Sequence, residues 1–131
     1  MRLIPQMRQI FNTVLLSLSL VSFCLNAAPT TEQVEFFEKK IRPVLAEHCY
    51  ECHNSSGKEK GGLVLDWAGG LAEGGDSGSL LDEDEPLKSF LLQVIRHEDS
   101  DMKMPKGGPK LSPEVIEDFE KWVAAGVPDP R

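Results

Sequence analysis

The chain has 131 residues, and its 21 acidic residues outnumber its 14 lysines and arginines, which gives a formal net charge of −7 at pH 7. This length suits one small domain, and the acidic balance argues against nucleic-acid binding, which needs a basic surface. An acidic surface would either favour a basic partner protein or serve only to keep the protein soluble.

The beginning of the chain has the layout of a secretory signal. Arg2 and Arg8 give a basic start, an uncharged and mostly apolar run follows, and small residues around Ala27 offer a cleavage site. We therefore predict a signal peptide at 1–27 and an exported domain at 28–131, in the periplasm or elsewhere outside the cytoplasmic membrane. A retained membrane anchor is the alternative, although the apolar run is short for a span of about 20 residues.

Removal of this signal would change both the charge and the chemical setting of the protein. It takes away two basic residues and no acidic one, so the mature charge is 12 − 21, or −9. No stable membrane span would remain. Export also places the cysteines in an oxidising compartment, where a disulfide can persist.

Residues 30–47 predict the first helix of the mature domain. Thr30, with Gln33 three residues later, is a capping-box pattern. Apolar residues then recur every three or four positions along one face, at Val34, Phe37, Ile41 and Val44 or Leu45. Pro43 should kink or restart this helix near Arg42, because proline lacks the N–H that an uninterrupted helix needs.

The middle of the chain has a loop-like composition. A Gly- and Ser-rich stretch at 54–80 predicts a loop, apart from a short extended apolar patch at 63–65. A loop of this length is unusual in a compact domain unless it wraps around something. Residues 86–97 predict a second helix, with Pro86 in its first turn, and 98–110 form a polar loop.

The last predicted helix spans 112–126, with Ser112 as its N-cap and a glycine at its end. Phe37 of the first helix should meet Phe119 and Trp122 of the last helix in the core. The predicted fold class is therefore all-α, with three to four helices joined by Gly/Pro-rich loops and almost no strand.

The sequence Cys49-Tyr50-Glu51-Cys52-His53 has the C-x-x-C-H spacing of a haem-attachment site. Two thiols three residues apart on a helical turn face one way, so both can add to the vinyl groups on one haem edge. The histidine that follows can then ligate the iron. Other interpretations stay open: a zinc site, which would want a second Cys pair, a thioredoxin-like redox pair, which would want a βαβ context, and a plain disulfide.

A haem that only carries electrons usually has a Met or His ligand opposite its proximal histidine. Met102 and Met104 are the candidates, and Met104 is favoured because Pro105 biases it toward an extended backbone. We expect the two methionines to point to opposite sides, so that only one should reach the iron. His97 is the alternative ligand. Further candidates for haem contact, as propionate partners or edge packing, are Arg96, Lys103, Lys106, Lys110 and Trp67.

Several longer stretches resemble the cytochrome c fold, and more closely the planctomycete-type cytochrome c domain. They are FFEKKIRPVLAEHCYECH, GGLVLD, GGDSGSLL, VIRHEDSDMKMP and KLSPEVIEDFEKWVAAGVPDPR, and they cover nearly all of residues 35–131. The resemblance implies a small cytochrome c fold wrapped around one covalently bound haem c. It also implies thioether links at Cys49 and Cys52, iron ligation by His53 and a distal ligand at Met104.

Two features depart from the family pattern. Many members have a Pro-Gly pair where this chain has the acidic run DEDE at 82–85. Large further domains also usually follow in this family, whereas the chain stops at Arg131. We therefore expect either a free-standing carrier or a truncated product.

The resulting hypothesis is a monohaem electron carrier, not an enzyme, that exchanges electrons with redox proteins of unknown identity. One alternative is a haem-binding electron-entry module of a larger enzyme system, docked on a larger periplasmic protein. Another is a haem peroxidase-like enzyme with an open iron position. Its polar candidate is His97, which lies near the loop at 98–110 that contains Met102 and Met104, called the Met loop below. A non-haem Cys/His metal protein or disulfide protein is the last alternative.

Overall fold

The computed structural model describes residues 28–131, so the predicted signal peptide at 1–27 lies outside the described residues. Five α-helices lie within these residues: α1 (Thr31–Phe36), α2 (Arg42–His48), α3 (Ala68–Glu73), α4 (Phe90–Ile95) and α5 (Pro113–Ala124). A π-helical turn (Phe37–Ile41) joins α1 to α2, and 3₁₀ turns occur at Lys60–Gly62 and Pro86–Lys88. The prediction of a small, mostly helical fold is confirmed.

Two short strands form the sheet of the described region. β1 (His53–Asn54) pairs antiparallel with β2 (Lys58–Glu59), so that His53 lies opposite Glu59. In the part of the chain from 28 to 131, no helix is long and apolar enough to cross a membrane.

The first helical segment begins and breaks where the sequence predicts. The Thr30 hydroxyl accepts from the Gln33 N–H at 3.2 Å, and the Gln33 side chain accepts from the Thr30 N–H at 2.9 Å, which is a capping box. The π-helical turn comes just before Pro43, and there the Arg42 N–H reaches back to the Phe37 carbonyl. Pro43 lacks the N–H that would continue the regular ladder, so the α-helix restarts at Arg42 as predicted.

The core lies between the first helical segment, α4 and α5. The Phe37 and Trp122 rings lie 5.8 Å apart, and Phe119 meets Trp122 edge-on at the same distance. All three side chains are almost completely buried. The predicted contact between the first and last helices is thus confirmed.

The predicted helix at 86–97 is divided in the structure. A 3₁₀ turn precedes Ser89, and α4 begins only at Phe90. Ser89 is fully buried, and its hydroxyl accepts from the Asp82 N–H at 3.0 Å. Its backbone leaves the helical region, at φ −51° and ψ 139°, because this side chain bonds a neighbouring loop instead of continuing the helix.

The prediction that 54–80 is loop apart from the patch at 63–65 is corrected by α3. Two of the six residues of α3 are glycines, which have low helix propensity. Leu71 is buried in the core, and Gly70 lies against the Val64 carbonyl. Tertiary packing therefore holds a helix that local propensity does not favour.

Candidate functional site

The cysteine motif forms a tight turn at the end of α2. The Cys49 carbonyl accepts from both the Cys52 N–H, at 3.2 Å, and the His53 N–H, at 3.0 Å. Cys49 itself caps α2, with its N–H donating to the Leu45 carbonyl at 2.9 Å. The chain thus makes one further helical turn across the motif.

A second segment of the chain holds this turn from outside. The Lys60 N–H donates to the Cys52 carbonyl at 3.1 Å, and the Leu65 N–H donates to the His53 carbonyl at 3.0 Å. The Gly-rich stretch that the sequence predicted to wrap around something therefore folds back along the motif.

A cleft of about 370 Å³ opens beside the motif, which is within the usual size of a small-molecule or cofactor pocket. Its walls are mostly apolar side chains from the loops and α4. The lining residues are Cys49, Cys52, His53, Lys60, Gly61, Leu63, Leu65, Gly75, Ser77, Gly78, Leu80, Phe90, Leu91, Val94, Ile95, Met102, Met104 and Lys106. The structure therefore brings the motif and the Met loop to one cleft.

Both methionines line this cleft, so the prediction that they would point to opposite sides is wrong. Side chains alternate along an extended backbone with a period of two, so residues two positions apart lie on the same side. A turn precedes them, in which the Asp99 carboxylate accepts from the N–H groups of Asp101, at 2.8 Å, and Met102, at 2.7 Å.

His97, the alternative ligand, is not among the residues that line the cleft. Its Nε2 lies 3.0 Å from the Met104 carbonyl oxygen. The ring is thus engaged with the backbone of the Met loop.

Cys49 and Cys52 form no disulfide in the described structure, and both are partly buried. Burial raises the pKa of the Cys49 thiol to about 11. Reactive cysteines of redox pairs have lowered pKa values, because the thiolate is the nucleophile. The environment of Cys49 therefore argues against the thioredoxin-like interpretation.

His53 has a polar atom that the protein leaves unsatisfied. Its Nδ1 is buried and has no hydrogen-bond partner, which costs about 1–3 kcal/mol in a folded protein. Among residues 28–131, no group of three or more His, Cys, Asp or Glu side chains could hold a metal ion. An apolar cleft lined by two cysteines, a histidine and two methionines fits a covalently held haem, because the thiols can bond its vinyl groups while imidazole nitrogen and thioether sulfur can ligate its iron.

A comparison with known families agrees with this chemistry. Residues 49–108 match the family model described as Planctomycete cytochrome C. The match covers 60 of the 131 residues, and over this segment the chain is similar to the planctomycete cytochrome C family. No curated protein and no solved structure matches the chain at a significant level.

The matched segment contains the whole motif and both methionines of the Met loop but ends before α5. This similarity suggests a haem-binding role in electron transfer. The matched segment shares its core with α5, because Leu91 and Leu92 of α4 belong to the same buried cluster as Phe119 and Trp122.

The charged groups near the cleft differ in part from the prediction. Lys106 lines the cleft, as does Lys60, which the sequence analysis missed. Arg96 instead pairs with Glu120 at 2.8 Å and donates to the Leu87 carbonyl at 2.9 Å. No local sequence signal marks Lys60, because its position depends on how this segment folds back along the motif.

Trp67 does not line the cleft. It is 46% exposed, and its ring lies over Gly69 and Gly70 of α3. The predicted packing of this side chain on a haem edge is therefore replaced by a contact with the adjacent helix.

Arg131 reaches the cysteine motif from a distant part of the chain, and this contact was not predicted from the sequence. Arg131 donates to the Tyr50 hydroxyl, to the Leu65 carbonyl at 2.9 Å and to the Asp129 carboxylate at 2.6 Å. Its guanidinium also lies over the Phe37 ring, 5.0 Å from the centroid. Arg131 thus contacts the motif at Tyr50, and it also contacts Leu65, whose N–H donates to the His53 carbonyl.

In the cluster formed by Arg131, Asp129 and Tyr50, the pKa values of Arg131 and Tyr50 are shifted. Burial lowers the pKa of Arg131, but the hydrogen bond and charge of Asp129 outweigh this and raise it above the ordinary value. Burial raises the pKa of the Tyr50 hydroxyl, although the nearby guanidinium opposes this. Arg131 is consequently a permanent positive charge beneath the motif.

Proposed function

We propose that this protein is an exported monohaem c-type cytochrome that carries single electrons between redox proteins. The observation that supports this most is that both cysteines, His53 and two methionines line one apolar cleft. The matched family adds the haem-binding and electron-transfer role. The fold would then be a small cytochrome c fold whose loops surround the haem.

Each residue of the cleft has a distinct role in this proposal. Cys49 and Cys52 hold one haem c through thioether bonds, and His53 ligates the iron through a ring nitrogen. Met104 is the opposite ligand, with Met102 as the alternative. The haem supplies an iron that changes between Fe(II) and Fe(III), and the chain sets its potential through ligation and burial.

The polarity of the cleft supports a carrier over a peroxidase-like enzyme. An enzyme of that kind needs an open iron position with polar groups beside it. The walls here are mostly apolar, two thioether side chains are present, and His97 is engaged by the Met104 carbonyl. A ferric protein with a sulfur-to-iron charge-transfer band would support the carrier, and a high-spin signal with rapid peroxide reaction would support the enzyme.

The partners and the location are part of the same proposal. Residues 28–131 carry a formal charge of 12 − 21, or −9, which favours a basic surface on a redox partner. The proposed partner is a redox protein outside the cytoplasm, and a larger periplasmic protein is one candidate. N-terminal sequencing of the exported protein should give a start at Ala28, after cleavage of residues 1–27.

The decisive experiment asks whether haem stays with the denatured chain. The protein is produced in a host that matures c-type cytochromes, denatured, and assayed for haem that migrates with the polypeptide. We expect retention in the wild type, one remaining thioether in Cys49→Ala or Cys52→Ala, and complete loss from the double variant.

Glu51→Ala is the matched control, because Glu51 is an exposed residue within the motif that lines no part of the cleft. It should retain haem as the wild type does. Loss of haem on denaturation of the wild type, or covalent haem in the double variant, would contradict the proposed attachment.

A further inference from the structure

His97 occupies an unusual backbone position at the end of α4. Its φ is 59°, in the left-handed region that residues other than glycine uncommonly adopt, although histidine occurs there more often than most. The Glu98 N–H donates to the Gln93 carbonyl at 3.0 Å, and the His97 N–H donates to the Val94 carbonyl at 3.3 Å. These two bonds are the Schellman ending of a helix, in which His97 stands where glycine is usual.

A side chain at this position costs conformational energy that glycine would avoid. Such strain persists at positions where the side chain has a use. Here the imidazole has a defined partner, since its Nε2 lies 3.0 Å from the Met104 carbonyl oxygen.

Met104 is consequently bound at both of its backbone polar groups. Its N–H donates to the Val94 carbonyl at 3.0 Å, and its carbonyl faces the His97 ring. Both partners belong to the end of α4, a helix whose Val94 and Ile95 are buried in the core. The Met loop is therefore fastened to a rigid element at the residue that carries the sulfur.

We propose that His97 is a positioning residue that holds Met104 against the iron and resists displacement of its sulfur by outside ligands. The imidazole donates from Nε2 to the Met104 carbonyl and fixes the backbone from which the thioether extends. This inference rests on the proposed function, because it requires Met104 to be the distal ligand.

The test uses the haem-loaded protein and two substitutions with opposite effects on strain. His97→Gly removes the donor but relieves the left-handed backbone, so thermal stability should hold or rise. The rate at which imidazole displaces sulfur from the ferric iron should nevertheless increase about five- to tenfold, the effect of one lost hydrogen bond. The sulfur-to-iron charge-transfer band reports this displacement.

His97→Gln separates the effect of the hydrogen bond on the displacement rate from the effect of backbone strain on thermal stability. Its amide can donate from a position near that of the ring Nε2, so the displacement rate should return toward that of the wild type. Its left-handed backbone remains strained, so thermal stability should not exceed that of the wild type. A merely structural role for His97 would make both properties change together.

Val127→Gly is the matched control, because Val127 is the other non-glycine residue with a left-handed backbone in the described region, at φ 56°. It lies after α5, is not part of the cleft lining, and should leave the displacement rate unchanged. An unchanged rate in His97→Gly would overturn the role of His97. A wild-type ferric protein without the sulfur-to-iron band would instead overturn ligation by Met104, and this inference with it.

Discussion

Met102 and Met104 line the same cleft, but their backbones are held in different ways. The Met102 N–H donates to the Asp99 side chain, within the loop itself. The Met104 N–H donates to Val94 in α4. Because only Met104 is fastened to a buried helix, it is the better-fixed sulfur, which agrees with the preference drawn from Pro105 in the sequence.

We predict that Met104→Ala removes the sulfur-to-iron charge-transfer band of the ferric protein and lowers the midpoint potential. Thioether sulfur favours Fe(II), so its loss stabilises Fe(III). Optical spectra and a reductive titration measure both effects.

Met102→Ala is the matched comparison in the same loop. It should keep the band and cost at most about 2 kcal/mol of stability, because Met102 is only partly buried. The reverse result, with the band lost on substitution of Met102 and kept on substitution of Met104, would make Met102 the ligand.

At the scale of elements, α3 depends on a close approach between its backbone at Gly70 and the backbone of the preceding segment at Val64. A Cβ at Gly70 would lie 2.3 Å from the Val64 carbonyl oxygen, which cannot move without shifting the chain beside Leu65. A Cβ at Gly69 would meet only the Trp67 ring. Trp67 is exposed, so its ring can turn away.

We therefore predict opposite results for alanine at two adjacent helical glycines. Gly70→Ala should lower the free energy of unfolding by about 1–3 kcal/mol, the usual cost of overpacking. Gly69→Ala should be neutral or stabilising by up to about 1 kcal/mol, because alanine favours a helix more than glycine does. Denaturant unfolding of the haem-loaded variants measures both, and equal losses would show that backbone proximity does not decide the difference.

The elements that the sequence predicts well are those whose signals are local. Thr30 and Ser112 cap their helices through bonds to residues three positions away, and Pro43 marks the restart of α2. The break at Ser89 was not predictable, because it depends on a bond to Asp82 across a loop. The helix α3 was missed for the same reason, since Leu71 gains its stability only by burial in the core.

At the scale of the whole molecule, Arg131 connects the last segment of the chain to the cysteine motif. Its side chain and that of Asp129 are only 10% and 5% exposed, and they form two hydrogen bonds, at 2.9 and 2.6 Å. Removal of one partner from a buried pair leaves the other charge uncompensated. The cluster should therefore contribute strongly to the stability of the fold around the motif.

We predict that Arg131→Ala lowers the free energy of unfolding by about 3 kcal/mol. Arg42→Ala is the matched control, because Arg42 forms a similar pair with Glu38 that is about half exposed. It should cost only about 0.5 kcal/mol. Guanidinium unfolding with haem attached measures the difference, and similar losses in the two variants would contradict a special role for the buried cluster.

The sequence by itself predicts the chemistry of the site, because Cys49, Cys52 and His53 form a local pattern within one turn. It also determined the helix caps and the contact of Phe37 with Trp122, which periodicity places on buried faces. Only the tertiary structure decided how distant segments meet. The His97 ring meets the Met104 carbonyl, Lys60 lines the cleft and Arg131 donates to Tyr50. These contacts depend on how the chain folds back on itself and not on spacing along it.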